Sequence, residues 1–372
     1  MTETLLNDYN DGSSLVLRRV NYTQLERTLR SLGKQEGVLV TDIGESDGIV
    51  FDGSTGMSTY FGERHDIGKR SIYAIDIEPS KSKKGQFFIV AGHHPVEPAG
   101  PVAAIQFVNE LLQSNSPSAR ILRDHYQVTV VPMVDVDYFS LPVKRRIYTT
   151  SNNHYNSLDC EEFYSWDQWR VQGAGPEAKA VAKLFRERTR DVRAFTFDLH
   201  ESWYESKFEP RHGFFIFQYE DTEKSGFAKI GLDAVRNANL PVSGIETECN
   251  IRRSFSGMFT AYAEKLGHLG FTQESVTSIR GKRVHRAVRA NMHLVSMDAV
   301  IREVMNGNYF DNHPSLGENL ASDERKKVVV ASNLDGIPTE KGIITGDELT
   351  DALQNELAGL GVSNVEIVRE ED

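Results

Sequence analysis

Short apolar runs separated by helical patterns limit the folds open to this chain. Residues 86–91 form an apolar run that Gly92 ends, and residues 127–134 and 194–199 are predicted to be two further buried strands. Runs of this length without alternation are typical of strands that are buried on both faces of a parallel sheet. Because helical patterns lie between them, the sequence predicts an α/β protein. Its sheet is expected to be mixed, mostly parallel and covered by helices on both faces.

The same patterns predict the remaining elements of the large N-terminal part. Further strands are expected at residues 37–43, 71–77 and 268–273, and helices at residues 21–32, 101–112, 176–190, 223–238 and 257–267. The acidic, glycine-rich stretch 44–62 is predicted to be a loop.

The C-terminal tail has its own pattern. It predicts a strand at 326–331, a helix at 347–358 with Thr345 as N-cap, and a strand at 362–368. We therefore expect one large domain over residues 1–314, followed by a small α/β extension over residues 315–372.

Composition narrows the functional classes. The chain is 39% hydrophobic and 26% charged, as in ordinary soluble globular proteins, and its net charge of −11 argues against a nucleic-acid partner. Its two cysteines, Cys160 and Cys249, cannot form a disulfide framework. The sequence has no run of 18 apolar residues, and its N-terminus lacks a basic start and an apolar stretch. We therefore expect no membrane span, no secretory signal and a cytoplasmic location.

Chemically active side chains follow three of the predicted strands. His94 and Glu97 share one short loop, His200 follows the run at 194–199, and Glu274 follows the strand at 268–273. In open α/β sheets, ligands bind beyond the carboxyl ends of the strands. Imidazole and carboxylate groups suit zinc, and a catalytic zinc takes three protein ligands and one water. The sequence therefore predicts one zinc ion per chain, bound by the two histidines and Glu97.

These segments resemble the zinc metallocarboxypeptidases and their succinylglutamate desuccinylase and aspartoacylase relatives. The likeness covers residues 21–300 and rests on Gly-x-His-x-x-Glu at 92–97, the second histidine at His200, and Glu274 after a Phe-Thr strand. The Asp-Leu-His form at 198–200 is especially similar to the desuccinylase-like branch. The resemblance implies a zinc-dependent hydrolase that cleaves an amide bond, either a carboxypeptidase or an N-acyl amino-acid deacylase.

The resemblance also implies roles in the reaction. Glu274 is expected to be the general base and acid, which takes a proton from zinc-bound water and gives it to the leaving amine. Arg145 or Arg146 is expected to polarise the scissile carbonyl, because a cation is needed beside the metal.

An aspartate is expected to orient the first zinc-binding histidine, His94, as carboxylates next to metal ligands commonly do. Asp159 corresponds to the family residue with this role. Asp198 is the alternative, because it lies two residues before His200 and so points to the same face of the sheet.

The sequence departs from the family pattern where the substrate carboxylate is held. The family has Asp-Leu-Asn-Arg-Asn-Phe, and this chain has Asp-Cys-Glu-Glu-Phe-Tyr at residues 159–164. We expect Glu161 or Glu162 to face the pocket and to favour a substrate with a cationic or neutral group near the scissile bond. Arg252 or Arg253 is an alternative clamp for a carboxylate.

Two other functional classes remain as alternatives. Gly-x-Ser-x-Gly at residues 44–48 places Ser46 after a strand, but a serine nucleophile needs a helix directly after it. A short stretch bounded by Gly53 follows instead. The second alternative is a carboxypeptidase-like fold that only binds its partner. Dinucleotide binding finds no support, because no Gly-x-Gly-x-x-Gly opens a helix.

Overall fold

The structure of the protein is a computed structural model. The described residues are 22–46, 48–51, 65–94, 97–140, 176–202, 212–218, 222, 225–238, 240, 248–253, 259–276, 278–279, 282–307, 309–310, 328–330, 337–339, 342–344 and 367–369. The chain divides into two compact units, Met1–His313 and Pro314–Asp372.

An eight-stranded mixed sheet forms the centre of the larger unit. The strands of this unit are β1 (Val38–Glu45), β2 (Ile49–Phe51), β3 (His65–Ile67), β4 (Ser71–Ile77), β5 (Gly85–Ala91), β6 (Tyr126–Val131), β7 (Ala194–Ser202), β8 (His212–Gln218), β9 (Glu248–Arg253), β10 (Leu269–Val276), β11 (Ser278–Ile279) and β12 (Lys282–Arg283). The order in the sheet is β1-β4-β6-β5-β7-β10-β8-β9. Its four central strands, β6, β5, β7 and β10, run parallel to one another.

The described helices of this unit connect and cover these strands. They are α1 (Tyr22–Leu32), α2 (Ala99–Gln113), α3 (Pro117–His125), α4 (Pro176–Thr189), α5 (Phe227–Asn237), α6 (Phe259–Lys265) and α7 (Arg286–Asn306), with a short 3-10 helix at Tyr138–Ser140. Among the described residues, no helix is both long enough and apolar enough to span a membrane.

Aromatic side chains show that helices pack on both faces of the sheet. On one face, Phe88 of β5 contacts Phe185 of α4 and Phe259 of α6. On the opposite face, Phe195 of β7 contacts Phe227 of α5. Phe88 pairs with Thr196, so these two side chains point to the same face of the sheet. Phe195 precedes Thr196 in the strand and therefore points to the opposite face. The predicted α/β fold is confirmed.

Most predicted elements of the larger unit agree with the structure within a few residues, but three boundaries differ. The strand predicted at 127–134 ends at Val131, because Pro132 has no N–H to donate to a neighbouring strand. The strand predicted at 194–199 continues through polar residues to Ser202. The stretch predicted as a loop at 44–62 contains β2, which pairs with β3 in an antiparallel hairpin.

The smaller unit has four described strands. They are β13 (Val328–Val330), β14 (Ile337–Thr339), β15 (Gly342–Ile344) and β16 (Ile367–Arg369). β13 pairs with β16 in parallel, and β14 pairs with β15 in antiparallel. The helix predicted at 347–358 lies outside the described residues, so the α/β character of residues 315–372 stays a prediction.

A buried histidine joins two of the central strands. His268 is 1% exposed, packs edge-on against the Phe185 ring, and its Nδ1 accepts a hydrogen bond from the backbone N–H of Ala194 at 3.2 Å. Burial, with a smaller contribution from Arg193, lowers the pKa of His268 to about 3. His268 is therefore neutral in the folded protein at neutral pH.

This histidine makes the fold sensitive to acid. Its pKa is lower in the folded than in the unfolded chain, so its contribution is complete above the unfolded value of about 6.5 and falls as the pH drops toward 3, by at most about 1.4 kcal/mol per pH unit. In His268→Asn, the amide oxygen can still accept from the backbone N–H of Ala194, but the side chain does not titrate. When the pH falls from 7 to 5, we expect the free energy of unfolding of this variant to decrease by about 2 kcal/mol less than that of the parent protein. Urea unfolding of both proteins at the two pH values measures this difference. Equal losses would show that His268 is not the titrating group.

Candidate metal centre

The three central strands β5, β7 and β10 end at the same edge of the sheet, because they are adjacent and parallel. Gly92 follows β5 with a φ of 72°, in the left-handed region that favours glycine. A Cβ at this position would lie 3.0 Å from the Cα of Met133. The tight turn at Gly92 therefore directs the following segment, with His94 and Glu97, across the end of the sheet toward β7.

Three side chains converge at this edge. Nδ1 of His94 lies 2.9 Å from Oε1 of Glu97, and Nδ1 of His200 lies 3.0 Å from Oε2 of the same carboxylate. The two Nδ1 atoms are 3.3 Å apart. Glu97 and His200 are buried, and His94 is half-buried. The structure thus brings the three predicted ligands into one cluster whose ligand atoms lie within 4.8 Å of one another.

The spacing and chemistry of this cluster fit zinc. Zinc binds imidazole nitrogens at about 2.0–2.1 Å, and two such bonds at a tetrahedral angle place the nitrogens about 3.3 Å apart. The observed separation of the His94 and His200 Nδ1 atoms is 3.3 Å. Two imidazole lone pairs that face each other repel unless a proton or a cation lies between them. Two histidines and one carboxylate are also a known set of protein ligands for a catalytic zinc.

Electrostatics favours a cation between these groups. Burial alone would raise the pKa of Glu97, but the neighbouring imidazoles of His94 and His200 outweigh it and lower that pKa to about 2. The Glu97 carboxylate is therefore ionised at neutral pH. A negative carboxylate facing two ring nitrogens is the arrangement that a divalent metal ion stabilises.

A second buried carboxylate fixes the orientation of His200. Oδ1 of Asp198 lies 3.1 Å from Nε2 of His200 and 3.0 Å from Nδ1 of His93. The His93 and His200 rings stack with centroids 5.3 Å apart. Burial would raise the pKa of Asp198, but the two imidazoles lower it well below its usual range. The ionised Asp198 can accept from Nε2–H of His200, which leaves Nδ1 of His200 available to a metal.

Of the two aspartates predicted to orient His94, Asp198 lies next to the second predicted histidine, His200, and Asp159 lies outside the described residues. His93 was not predicted. Its sequence signal was only its position beside His94, and the spacing of the motif selects His94. His93, Asp198 and His200 also form a second cluster with ligand-type atoms. In this cluster one oxygen of Asp198 lies within 3.1 Å of a ring nitrogen of each histidine.

The register between β7 and β10 places Glu274 next to His200. In the parallel pair of β7 and β10, Glu274 is directly opposite His200, and in the antiparallel pair of β10 and β8 it is opposite Phe215. Backbones of neighbouring strands lie about 4.8 Å apart, and paired residues point to the same face. Glu274 is half-buried, whereas Phe215 is buried. A carboxylate is thus placed one strand away from His200 on the same side of the sheet.

Comparisons with known proteins agree with this geometry. The family model described as zinc carboxypeptidase matches residues 65–202, which include the turn after β5 and the end of β7. The resemblance to the zinc carboxypeptidases is confirmed. The comparison with curated proteins gives no match.

Solved structures show the zinc carboxypeptidase fold. The structure of thrombin activatable fibrinolysis inhibitor is similar with a TM-score of 0.56 at 16% identity, over 77% of this chain and 74% of that chain. A metallo-carboxypeptidase from Burkholderia cenocepacia has a TM-score of 0.52 at 13% identity, over 77% and 69%. One from Pseudomonas aeruginosa, in complex with (2-guanidinoethylmercapto)succinic acid, has a TM-score of 0.50 at 15% identity, over 76% and 68%.

Several residues predicted for the reaction cannot be located on this zinc carboxypeptidase fold. They lie outside the described residues: Arg145, Arg146, Glu161 and Glu162. The backbones of Arg252 and Arg253 are described and pair in β9 with Phe217 and Gln218 of β8. Because Phe217 pairs with Thr272, Arg252 is level with a residue two positions before Glu274. The assignment of these arginines to a substrate clamp stays a prediction.

The serine motif has a structural role in the described residues. Ser46 is 1% exposed, its hydroxyl donates to Oδ1 of Asp137 at 2.5 Å, and the backbone N–H of Arg70 donates to the hydroxyl at 2.9 Å. The backbone N–H of Gly48 donates to the second oxygen of Asp137 at 2.9 Å. Strand β2 follows the motif instead of the helix that a serine nucleophile requires. These contacts explain Ser46 without a role in catalysis.

Proposed function

We propose that this protein is a zinc-dependent amide hydrolase, either a carboxypeptidase or an N-acyl amino-acid deacylase. The observation that supports this most directly is the convergence of His94, Glu97 and His200 with Glu274 in the neighbouring strand. When bound, zinc polarises a carbonyl and lowers the pKa of water toward about 7. We propose one ion per chain and a cytoplasmic location.

In this proposal each side chain of the site has its own role. His94, Glu97 and His200 hold the ion, and Asp198 keeps His200 in the tautomer that presents Nδ1. The carboxylate of Glu274 takes a proton from the attacking water and returns it to the nitrogen of the leaving amine. Arg145 or Arg146 is proposed to polarise the carbonyl.

The proposed class of substrate is based on residues 159–164, where the sequence differs from the zinc carboxypeptidase pattern. By the sequence resemblance, Glu161 and Glu162 correspond to the residues with which the zinc carboxypeptidases hold a terminal carboxylate, so we propose a substrate that carries a cationic or neutral group near the scissile bond. The Pseudomonas aeruginosa neighbour is described with a ligand that contains both a guanidino group and carboxylates. Peptides ending in a basic residue therefore belong in the first set of substrates.

A metal analysis combined with a substrate panel tests the proposal. Purified protein is expected to contain about one zinc per chain and to hydrolyse one of three classes: peptides with basic, neutral or acidic C-terminal residues, peptides with D-amino acids, or N-acyl amino acids. A chelator is expected to abolish turnover, and zinc to restore it, whereas a serine-directed reagent leaves turnover unchanged. Zinc-loaded protein that hydrolyses none of these classes would instead support a binding protein.

A further inference from the structure

A buried ion pair lies directly behind the predicted metal ligands. Glu201 follows His200 in β7, so its side chain points to the opposite face of the sheet. Its Oε1 pairs with Nη1 of Arg289, in the first turn of α7. Both residues are 1% exposed. Charged side chains are almost never buried this completely unless they are paired.

Two further hydrogen bonds of Glu201 go to the segment that carries Glu97. The backbone N–H of Glu201 donates to Oε2 of Glu97 at 3.0 Å. In return, Oε2 of Glu201 accepts from the backbone N–H of Ala99 at 3.1 Å. One residue of β7 thus holds the Glu97 side chain and also the backbone two positions later. The two contacts together fix the direction in which the Glu97 carboxylate points.

The second of these contacts also supports the start of α2. The N-cap of this helix is Pro98, which makes no capping hydrogen bond through its side chain. The first N–H groups of a helix need acceptors, and a negative charge near them is favourable. The carboxylate of Glu201 supplies that acceptor at Ala99, the first residue of α2. Arg289 balances the charge of Glu201 in the buried interior.

The energetics of buried ion pairs argue that this pair does not serve stability. Removing two charges from water costs several kcal/mol per ion, and replacing a buried pair by apolar residues is often neutral or stabilising. What distinguishes Glu201 and Arg289 is where their hydrogen bonds lead. They connect α7, through β7, to a predicted metal ligand and to the helix that follows it.

We propose that Glu201 and Arg289 are positioning residues that hold Glu97 in its metal-binding orientation and so set the affinity for zinc. This inference rests on the proposed function, because it takes His94, Glu97 and His200 as the zinc ligands. Partners of metal ligands with this kind of role typically change metal affinity by about 10–100-fold when they are replaced. The side chains of Glu201 and Arg289 are not among the ligand atoms of the cluster, and the direct contact of Glu201 with Glu97 is made by its backbone N–H.

The test is a double variant, Glu201→Met with Arg289→Met. Methionine at both positions fills part of the original volume and leaves no unpaired charge in the interior, and at position 201 it removes the oxygen that accepts from the backbone N–H of Ala99. We expect zinc affinity, measured by competition with a chromophoric chelator, to fall about 10–100-fold. Urea unfolding is expected to change little by comparison, because a buried pair adds little net stability.

A matched control exists in the same sheet. Asp76 of β4 is fully buried and pairs with Arg188 of α4 at 2.7 Å, and it also accepts from Thr129 of β6 at 2.6 Å. None of these three residues contacts a predicted ligand in the described structure. Asp76→Asn with Arg188→Met removes an ion pair with a fully buried carboxylate and a partly exposed arginine, and it is expected to leave zinc affinity unchanged. An equal loss of zinc affinity in this control would overturn the proposal, because a general loss of stability would then explain both results.

A spectroscopic measurement separates positioning from folding. Cobalt(II) in place of zinc gives visible absorption bands that report the arrangement of its ligands, and we expect these bands to shift in the double variant and not in the control. If the double variant does not fold, Glu201→Leu with Arg289→Met replaces it, with the same expectation. Zinc affinity and cobalt spectra equal to those of the parent protein would refute the role of Glu201 and Arg289. If the parent protein binds no zinc, or keeps it after loss of His200, the proposed function itself fails.

Discussion

Replacing His94 or His200 by alanine is expected to remove the bound zinc and to abolish turnover. Each histidine presents its Nδ1 to the same carboxylate, at 2.9 Å and 3.0 Å, so the loss of one leaves only two protein ligands. A catalytic zinc normally has three. The protein is expected to remain folded, because the buried aromatic residues of β5 and β7 do not depend on the ligands.

Zinc content by elemental analysis, turnover and far-UV circular dichroism on the same samples measure this outcome. His285→Ala is the matched control, because His285 is exposed at the start of α7, where its ring accepts from the N–H of Ala287. This control shows whether the loss of an exposed histidine by itself changes the zinc content. Full zinc occupancy in both His94→Ala and His200→Ala would show that the ligand assignment is wrong.

The fold could be predicted where hydrophobic runs are short and continuous. Strand β5 is buried at all seven positions, and apart from Gln86 its residues are apolar or glycine without alternation, so this pattern predicts a central strand directly. Strand β8 has an apolar run of similar quality, and the same criterion predicts it, although it was not among the expected strands. β8 is the strand that lies antiparallel to β10, so its omission made the expected sheet more uniformly parallel than the observed one.

Helix α7 could not be recognised by periodicity. It is 21 residues long, and its buried positions include polar side chains at Arg289, His293, Ser296 and Asp298. An amphipathic helix is recognised because its buried stripe is apolar. Here the buried stripe is interrupted by groups whose partners lie in the sheet: for example, His293 contacts Gln273 at 3.2 Å.

In the candidate site, too, some residues could be predicted from the sequence and others could not. The ligand-type residues could be predicted because they follow apolar strands, where charged groups have little structural use. The two-residue spacing of Asp198 and His200 also predicted their shared face, and the structure places them 3.1 Å apart. The contact between Glu201 and Arg289 joins residues 88 positions apart. No local pattern encodes such a pair, since it depends on how α7 packs against β7.

The second large effect is expected at Glu274. Glu274→Gln keeps the size and shape of the side chain, but an amide cannot take up a proton as a carboxylate does. Loss of a general base typically lowers the rate by about 10²–10⁴-fold. Zinc binding is expected to be unchanged, because Glu274 is not part of the cluster of ligand atoms formed by His94, Glu97 and His200.

The decisive measurement combines zinc content and turnover number on one preparation of the Glu274→Gln protein. Full zinc occupancy with a large fall in turnover separates the general base from the metal ligands. Glu303→Gln, at an exposed position of α7, is the matched control and is expected to retain normal turnover. Near-normal turnover in Glu274→Gln would remove this residue from the mechanism. The position opposite His200 in the parallel pair of β7 and β10 would then need another explanation.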